Sequence, residues 1–309
     1  MAAKRDRRNN KDTLKIRSID TIFTKNDFIM NIFFLIFSLL CGFSSQSYSR
    51  EINLTMEDCL FVKYPVPEKG IVCSNYERAL RLSKKLNNSE MHKCAWGPFV
   101  VIGDYQGKKI FVACASVGTG SGLLFTELFV AGAKYMIRYG TDDVKKPPAS
   151  DAFLVKIVDE ADNLYGFNLQ SGVDPKEWGK SVPASQEIIK ALISAAEEKG
   201  IGYELRICHH LENYHGLRSP DKFSTARSTR LKAQLSDLNE NSKPASYDME
   251  TAVLFRVAKD FDLHAATILQ TVNKEGTRLS SYEGENYRQA IEVEENIFFN
   301  FVLDSLLQI

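Results

Sequence analysis

Lys109-Ile110-Phe111-Val112-Ala113-Cys114-Ala115 runs through Ser116 into Val117-Gly118-Thr119-Gly120-Ser121-Gly122, and from there into Leu123 to Gly132, where apolar residues recur at helical spacing. An apolar run of strand length, a glycine-rich break and a stretch of helical period make a strand–turn–helix unit. Just upstream, Phe99-Val100-Val101-Ile102-Gly103-Asp104-Tyr105 reads as another strand. The Gln106-Gly107 pair between the two predicts a hairpin. Working outward, Gly70-Ile71-Val72-Cys73 is a short buried strand leading into a helix over Asn75 to Leu82, with Ser74 or Asn75 at its cap. Ala133 to Tyr139 is the strand after the glycine-led helix, and Gly140-Thr141-Asp142-Asp143 turns out of it. Ala152 to Val158 is a strand, and Ser185 to Lys199 an amphipathic helix ended by Gly200. Tyr203 to His210 is a strand, Thr251 to Asp260 a helix, His264 to Val272 a buried strand and Tyr287 to Leu307 a long closing helix. The polar stretch Ser224 to Ala245 is expected to hold a helix and a loop. Strands alternating with helices, with a hairpin intruding early, predict one α/β domain: a mixed central sheet flanked by helices.

Composition fits a globular chain of 309 residues, 44% apolar and 25% charged, with 18 Gly and 9 Pro. Basic and acidic residues balance at 39 each, so no basic face for nucleic acid is expected. Cys41, Cys59, Cys73, Cys94, Cys114 and Cys208 form no CxxC pair and no metal-ligand spacing. Reduced, buried thiols are expected.

Residues 1–27 are polar and rich in Lys and Arg, and the apolar run Phe28 to Phe43 follows. A basic leader, a short apolar run and small polar residues have the form of a signal peptide or anchor, although the run falls short of a spanning helix. A disordered extension and a misassigned translation start are the alternatives. Residues 1–54 are therefore set apart from a domain over 55–309. That domain is expected in the cytoplasm, or secreted or membrane-anchored if the apolar run acts as a signal.

Four constellations carry chemistry. The loop Val117 to Gly122 lets the backbone approach an anion, with helix N–H groups pointing at it. No Gly-Lys-Ser/Thr follows, so it is not a P-loop, and a plain tight turn is the alternative. Arg138 ends an apolar strand, where a guanidinium grips an oxyanion with two parallel N–H bonds. Ligands of open α/β sheets lie outside those strand ends. The alternative for Arg138 is a structural ion pair with an acid such as Glu127. Met249-Glu250 opens a helix: a glutamate beside a flat apolar side chain suits a sugar held by its hydroxyls, or else is a capping acid beside a core methionine. Cys208-His209-His210-Leu211-Glu212-Asn213-Tyr214-His215 is rich in ligand types. Adjacent histidines on a strand point to opposite faces, so no metal is expected there. Tyr214 and His215 suit stacking on, or bonding to, a flat base.

In this order the pieces resemble the nucleoside phosphorylase family, which includes hexameric uridine phosphorylases and bacterial-type purine nucleoside phosphorylases. The matches are Val117 to Gly122, Glu127-Leu128 with Gly132-Ala133-Lys134, Ile137-Arg138-Tyr139-Gly140-Thr141, and Asp248-Met249-Glu250-Thr251-Ala252. The resemblance runs from about Gly70 to Ile309. It implies a single α/β domain whose mixed sheet closes partly into a barrel. It also implies cleavage of a nucleoside's N-glycosidic bond by phosphate, to a free base and a pentose 1-phosphate. Inorganic phosphate is then a co-substrate, no other cofactor is needed, and a homo-oligomer built from dimers, up to a hexamer, is expected.

Carried over by motif, Arg78, Arg138, Thr141 and Ser74 would hold phosphate, and Met249, Glu250 and Thr141 the ribose. Tyr214, His215, Arg218 and Asp143 would meet the base, with Arg138, Glu250 and Lys274 as the catalytic set. The family places Arg78 in the loop after the first strand. Where the family reads Gly-Asp-Pro before that arginine, this chain has Cys73-Ser74-Asn75, and Asp142-Asp143 replaces a small residue and a glycine. Thr271-Val272-Asn273-Lys274-Glu275 lacks the purine enzymes' aspartate and resembles the uridine enzymes' loop. Uridine is the expected substrate. The alternatives are a purine nucleoside phosphorylase using Asp142, Asp143 or Glu275, a nucleoside hydrolase, or a non-catalytic nucleoside-binding or storage protein.

Overall fold

The computed structural model describes residues 52–94, 97–142, 155–239, 244–271 and 284–309, with the backbone alone for residues 217, 218, 235, 237–239, 271, 284–288, 290, 291 and 294. Asp143, Lys274, Glu275 and the N-terminal apolar run lie outside the described residues. In chain order the elements begin with β1 (Lys69–Cys73), α1 (Tyr76–Ser83), β2 (Asn87–Lys93), β3 (Phe99–Tyr105) and β4 (Lys108–Cys114). A 3-10 turn, Gly118–Gly120, then leads into α2 (Ser121–Val130), β5 (Tyr135–Asp142), β6 (Val155–Asp162), α3 (Gly166–Gln170), β7 (Val182–Pro183) and α4 (Gln186–Glu198). There follow β8 (Tyr203–His210), α5 (Tyr214–Arg218), α6 (Thr225–Asn239), β9 (Ala245–Asp248), α7 (Thr251–Phe261), β10 (His264–Thr271) and α8 (Gly284–Gln308).

Among the described residues ten strands form one mixed sheet, in the order β2-β3-β4-β1-β5-β10-β6-β8-β9, with β7 on β6. β1 is parallel to both its neighbours, β4 and β5. Covered on both faces, it reads as the unbroken apolar run of a buried parallel strand. The β3–β4 hairpin turns at Gln106 and Gly107, both with positive φ, as a two-residue loop of this kind requires. The sheet curls on itself. Tyr247 at β9 donates its N–H to Asp142 at the end of β5, although three strands separate the two in the ladder. The predicted α/β class, with its mixed sheet between helices, is the one observed.

Helices seal both faces. Phe299, Phe301, Val302 and Leu303 of α8 are buried, and α8 packs on α4, β1 and β5. α2 packs on α7. Glu127 of α2 is buried, but not against Arg138. Its carboxylate accepts the N–H groups of Leu60 (2.6 Å), Phe61 (2.7 Å) and Val62 (2.9 Å). It tethers the chain that leads into β1. Another departure from expectation is the length of β5. It does not end at Tyr139 but continues through Thr141 and Asp142, because β10 pairs with it throughout. No helix among the described residues is long and apolar enough to cross a membrane.

Candidate active site

The ends of β1, β5 and β9 and the starts of α1, α2 and α7 meet at one place. Asn75, not Ser74, caps α1: its Oδ1 accepts the Arg78 N–H at 2.9 Å. That puts Arg78 in the first turn of the helix rather than in the loop before it. The Arg78 guanidinium is buried and lies 4.7 Å over the Tyr139 ring. Its Nε donates to Glu295 Oε1 at 3.0 Å, and its Nη2 to Thr141 Oγ at 3.1 Å. Glu295 comes from α8 and also holds Arg81. It balances these cations from the far end of the chain. The Ser74 hydroxyl oxygen beside them is buried and has no partner among the described residues.

Arg138 is gripped by two carboxylates. Its Nη1 lies 2.7 Å from Asp248 Oδ2, and its Nη2 pairs with Glu250 Oε2. Glu250 Oε1 accepts the Gly118 N–H at 2.7 Å. The glycine loop therefore spends its first N–H on a carboxylate of the protein. Burial opposes the charge on Arg138, but Asp248 and Glu250 more than offset that and hold its pKa above the ordinary value. Burial, seconded by Asp248, pushes Glu250 up from the usual carboxylate range against the pull of Arg138 and Gly118. The Arg138 Nε is buried with no partner among the described residues, so one donor of the fork is still to be used. Two glycines make this packing possible. A Cβ on Gly140 would lie 1.8 Å from Arg138 Nη1, and Gly118 has φ +75°.

Glu250 stands at the N-cap position of α7, but its side chain makes no capping bond. That task falls to Asp248, which accepts the Thr251 N–H at 3.2 Å as well as the Thr251 hydroxyl. The Cys208 thiol donates to Asp248 Oδ1 at 3.3 Å, and burial pushes its pKa well up, so it stays a protonated donor.

These groups line a cavity of about 330 Å³. Ser74, Arg78, Arg138, Thr141, Met249, Glu250 and Tyr214 are among its lining residues. His215 stacks edge-on against Tyr214 and does not line the cavity. Arg218 ends α5, its side chain lying outside the described residues, as do Asp143 and Lys274. Asp142 does not line the cavity either: it is fully buried against Lys156. His209 and His210 point apart as the strand alternation requires. His209 meets Asp162 at 2.6 Å, and His210 is wholly buried with neither ring nitrogen partnered among the described residues. Sequence reading placed Asp248 in a motif without a role and passed over Glu295. The signal for Asp248 was its place three residues before the first helical N–H it bonds. Nothing local marks Glu295.

No protein-family model and no curated protein matches this sequence. Solved structures do. Uridine phosphorylase from Vibrio fischeri ES114 is similar with a TM-score of 0.61 and 19% identity, over 86% of this chain and 100% of that one. The same enzyme complexed with 6-hydroxy-1-naphthoic acid gives a TM-score of 0.61 and 19% identity, over 79% of this chain and 93% of that one. The fold is that of the uridine phosphorylases. At this identity the likeness speaks for the phosphorylase fold; the chemistry has to come from the cavity.

Proposed function

We propose that this chain is a nucleoside phosphorylase that cleaves the N-glycosidic bond with inorganic phosphate and favours uridine. One observation carries the reading: Glu250, a hydroxyl acceptor, shares one cavity with Arg78, Thr141 and Arg138, whose two Nη groups are engaged by Asp248 and Glu250 so that its Nε, and not the expected pair of parallel N–H groups, is left for an oxyanion. Phosphate enters beside Ser74, Arg78, Thr141 and the unused Nε of Arg138. Met249 covers the face of the pentose, and Glu250 accepts from its hydroxyls. Bond cleavage builds positive charge on the sugar, and a phosphate dianion fixed under the anomeric carbon both stabilises that charge and attacks it. The C1′–N bond breaks as the C1′–O bond to phosphate forms. The base departs with the electron pair and takes up a proton. Tyr214 offers its ring to that base, and the resemblance of the Thr271–Glu275 stretch to the uridine enzymes' loop assigns Lys274 a part in its departure.

Two buried arginines on the cavity wall support phosphorolysis over hydrolysis. A hydrolase has no need of two buried arginines at the attacking side. Against the purine alternative, Asp142 already serves Lys156, Ser246 and Tyr247 and is taken out of the role of leaving-group donor. The test is release of uracil from uridine by the purified protein, with and without phosphate, beside a panel of purine nucleosides. Release that requires phosphate is the expected result. Equal release without it identifies a hydrolase, preference for inosine or adenosine the purine reading, and no turnover of any nucleoside a binding protein.

A further inference from the structure

The cavity is assembled from two parts of the sheet that are not neighbours. Arg138 and Thr141 belong to β5. Met249 and Glu250 follow directly on β9. Between β5 and β9 the ladder runs through β10, β6 and β8, so small changes of twist in any of the three alter the spacing of the two parts. Two side chains of β5 cross the gap directly. Arg138 pairs with Asp248 at the end of β9 and with Glu250, and it belongs to the cavity itself; the second lies behind the cavity. Asp142, next in the chain to Thr141, accepts the Ser246 hydroxyl at 2.8 Å and the Tyr247 N–H at 3.1 Å. Its charge is balanced by Lys156 of β6 at 2.8 Å, and both side chains are completely buried.

A buried ion pair of this kind is a poor source of net stability. Desolvating both charges costs about as much as their attraction returns, and apolar residues of like volume often serve as well. What it does supply is a fixed geometry, since a carboxylate with several partners has one arrangement that satisfies them all. We infer that Asp142, neutralised by Lys156, is a positioning residue that sets the distance between the phosphate side and the sugar side of the cavity. The inference rests on the phosphorylase reading. It makes Asp142 neither a base contact nor a proton donor, but a strut between the two subsites, outside the cavity and beside the Arg138 pairs.

A ligand that spans both subsites senses that distance, and a ligand that fills only one does not. Calorimetric titrations with inorganic phosphate and with ribose 1-phosphate therefore separate positioning from simple stability. The Asp142→Asn/Lys156→Met double variant removes both charges together, leaving neither unpaired. It is expected to bind phosphate within about threefold of the parent chain and ribose 1-phosphate about tenfold or more weakly, since misplacement on the ångström scale is costly to a two-point fit. Ser246→Ala, which removes one strut contact without touching the charges, is expected to move the same ratio in the same direction by a smaller factor. It carries the test if the double variant does not fold. An unchanged ratio of the two affinities in the folded variants overturns the inference. Failure of the unaltered chain to bind ribose 1-phosphate overturns the phosphorylase reading instead, and this inference with it.

Discussion

Arg138 and Glu250, 112 residues apart in the chain, close on each other in a buried ion pair at the head of α7. Neither is a spectator of the other. The carboxylates balance the buried charge of the arginine, and the glutamate is held because the arginine and the Gly118 N–H fix both its oxygens.

The first prediction concerns that cage. Arg138→Ala leaves Asp248 and Glu250 buried together with no cation between them. Removing one partner of a buried pair typically costs about 3–5 kcal/mol. Urea denaturation of Arg138→Ala is expected to show a loss of that order, and Arg138→Ala/Glu250→Gln a smaller one, because one stranded charge is gone. Additive losses in the double variant would mean that the two side chains do not share an energetic unit.

Gly140→Ala tests the same cage sterically. The new Cβ would overlap Arg138 Nη1, so the guanidinium has to move while the strand remains paired. A displacement of about an ångström in a positioning group costs on the order of 10²-fold in rate. Phosphate-dependent turnover is expected to fall by about that factor, with the far-ultraviolet circular dichroism spectrum unaltered. Full activity in Gly140→Ala would show that the arginine does not act from the place it occupies.

His210 gives a signature in pH. Burial lowers its folded pKa below the ordinary 6.5, helped by Arg138 and opposed by Asp248 and Glu212. Below pH 6.5 the unfolded chain therefore binds a proton that the folded chain refuses, so stability falls as pH drops through that window and is regained above it. Glu250 acts with the opposite sign: its raised folded pKa makes the fold lose stability as pH climbs from 4.5. Thermal melts between about pH 5 and 7.5 are expected to show a shallower acid slope in His210→Gln than in the parent. Parallel curves for the two proteins would assign the slope to other groups.

Glu127 is a structural carboxylate, and its variant should say so. Three backbone N–H groups converge on it, and bonds to a charged group contribute about 1.5–3 kcal/mol each, without simple additivity. Glu127→Ala is expected to lower unfolding free energy by about 3 kcal/mol, with phosphate affinity unchanged in calorimetry. Weakened phosphate binding at full stability would place this residue in the site after all.

The layered architecture was legible because its central strands are continuous apolar runs and its helices carry clear caps and periods. The β3–β4 hairpin was legible from Gln106-Gly107 alone. What escaped notice were elements without that pattern. β2 reads Asn-Asn-Ser-Glu-Met-His-Lys and is exposed almost throughout, as suits an edge strand that resists pairing with another chain. β9 has four residues and turns Ser246 and Asp248 inward, so its buried face is polar. Arg78, Arg138, Thr141, Met249 and Glu250, all on the cavity wall, could be named in advance because each stands in or beside a motif shared with the family that the sequence resembles. Partners could not. That Glu127 would serve residues 60–62 and leave Arg138 to Asp248 and Glu250 depends on which surfaces the closed sheet brings together.

Glu295 has one more consequence. The first arginine of the site follows the first strand, whereas the acid that steadies it waits in the last helix. A chain still emerging from the ribosome therefore carries Arg78 without its counter-charge, and the pocket is completed only when synthesis has passed α8.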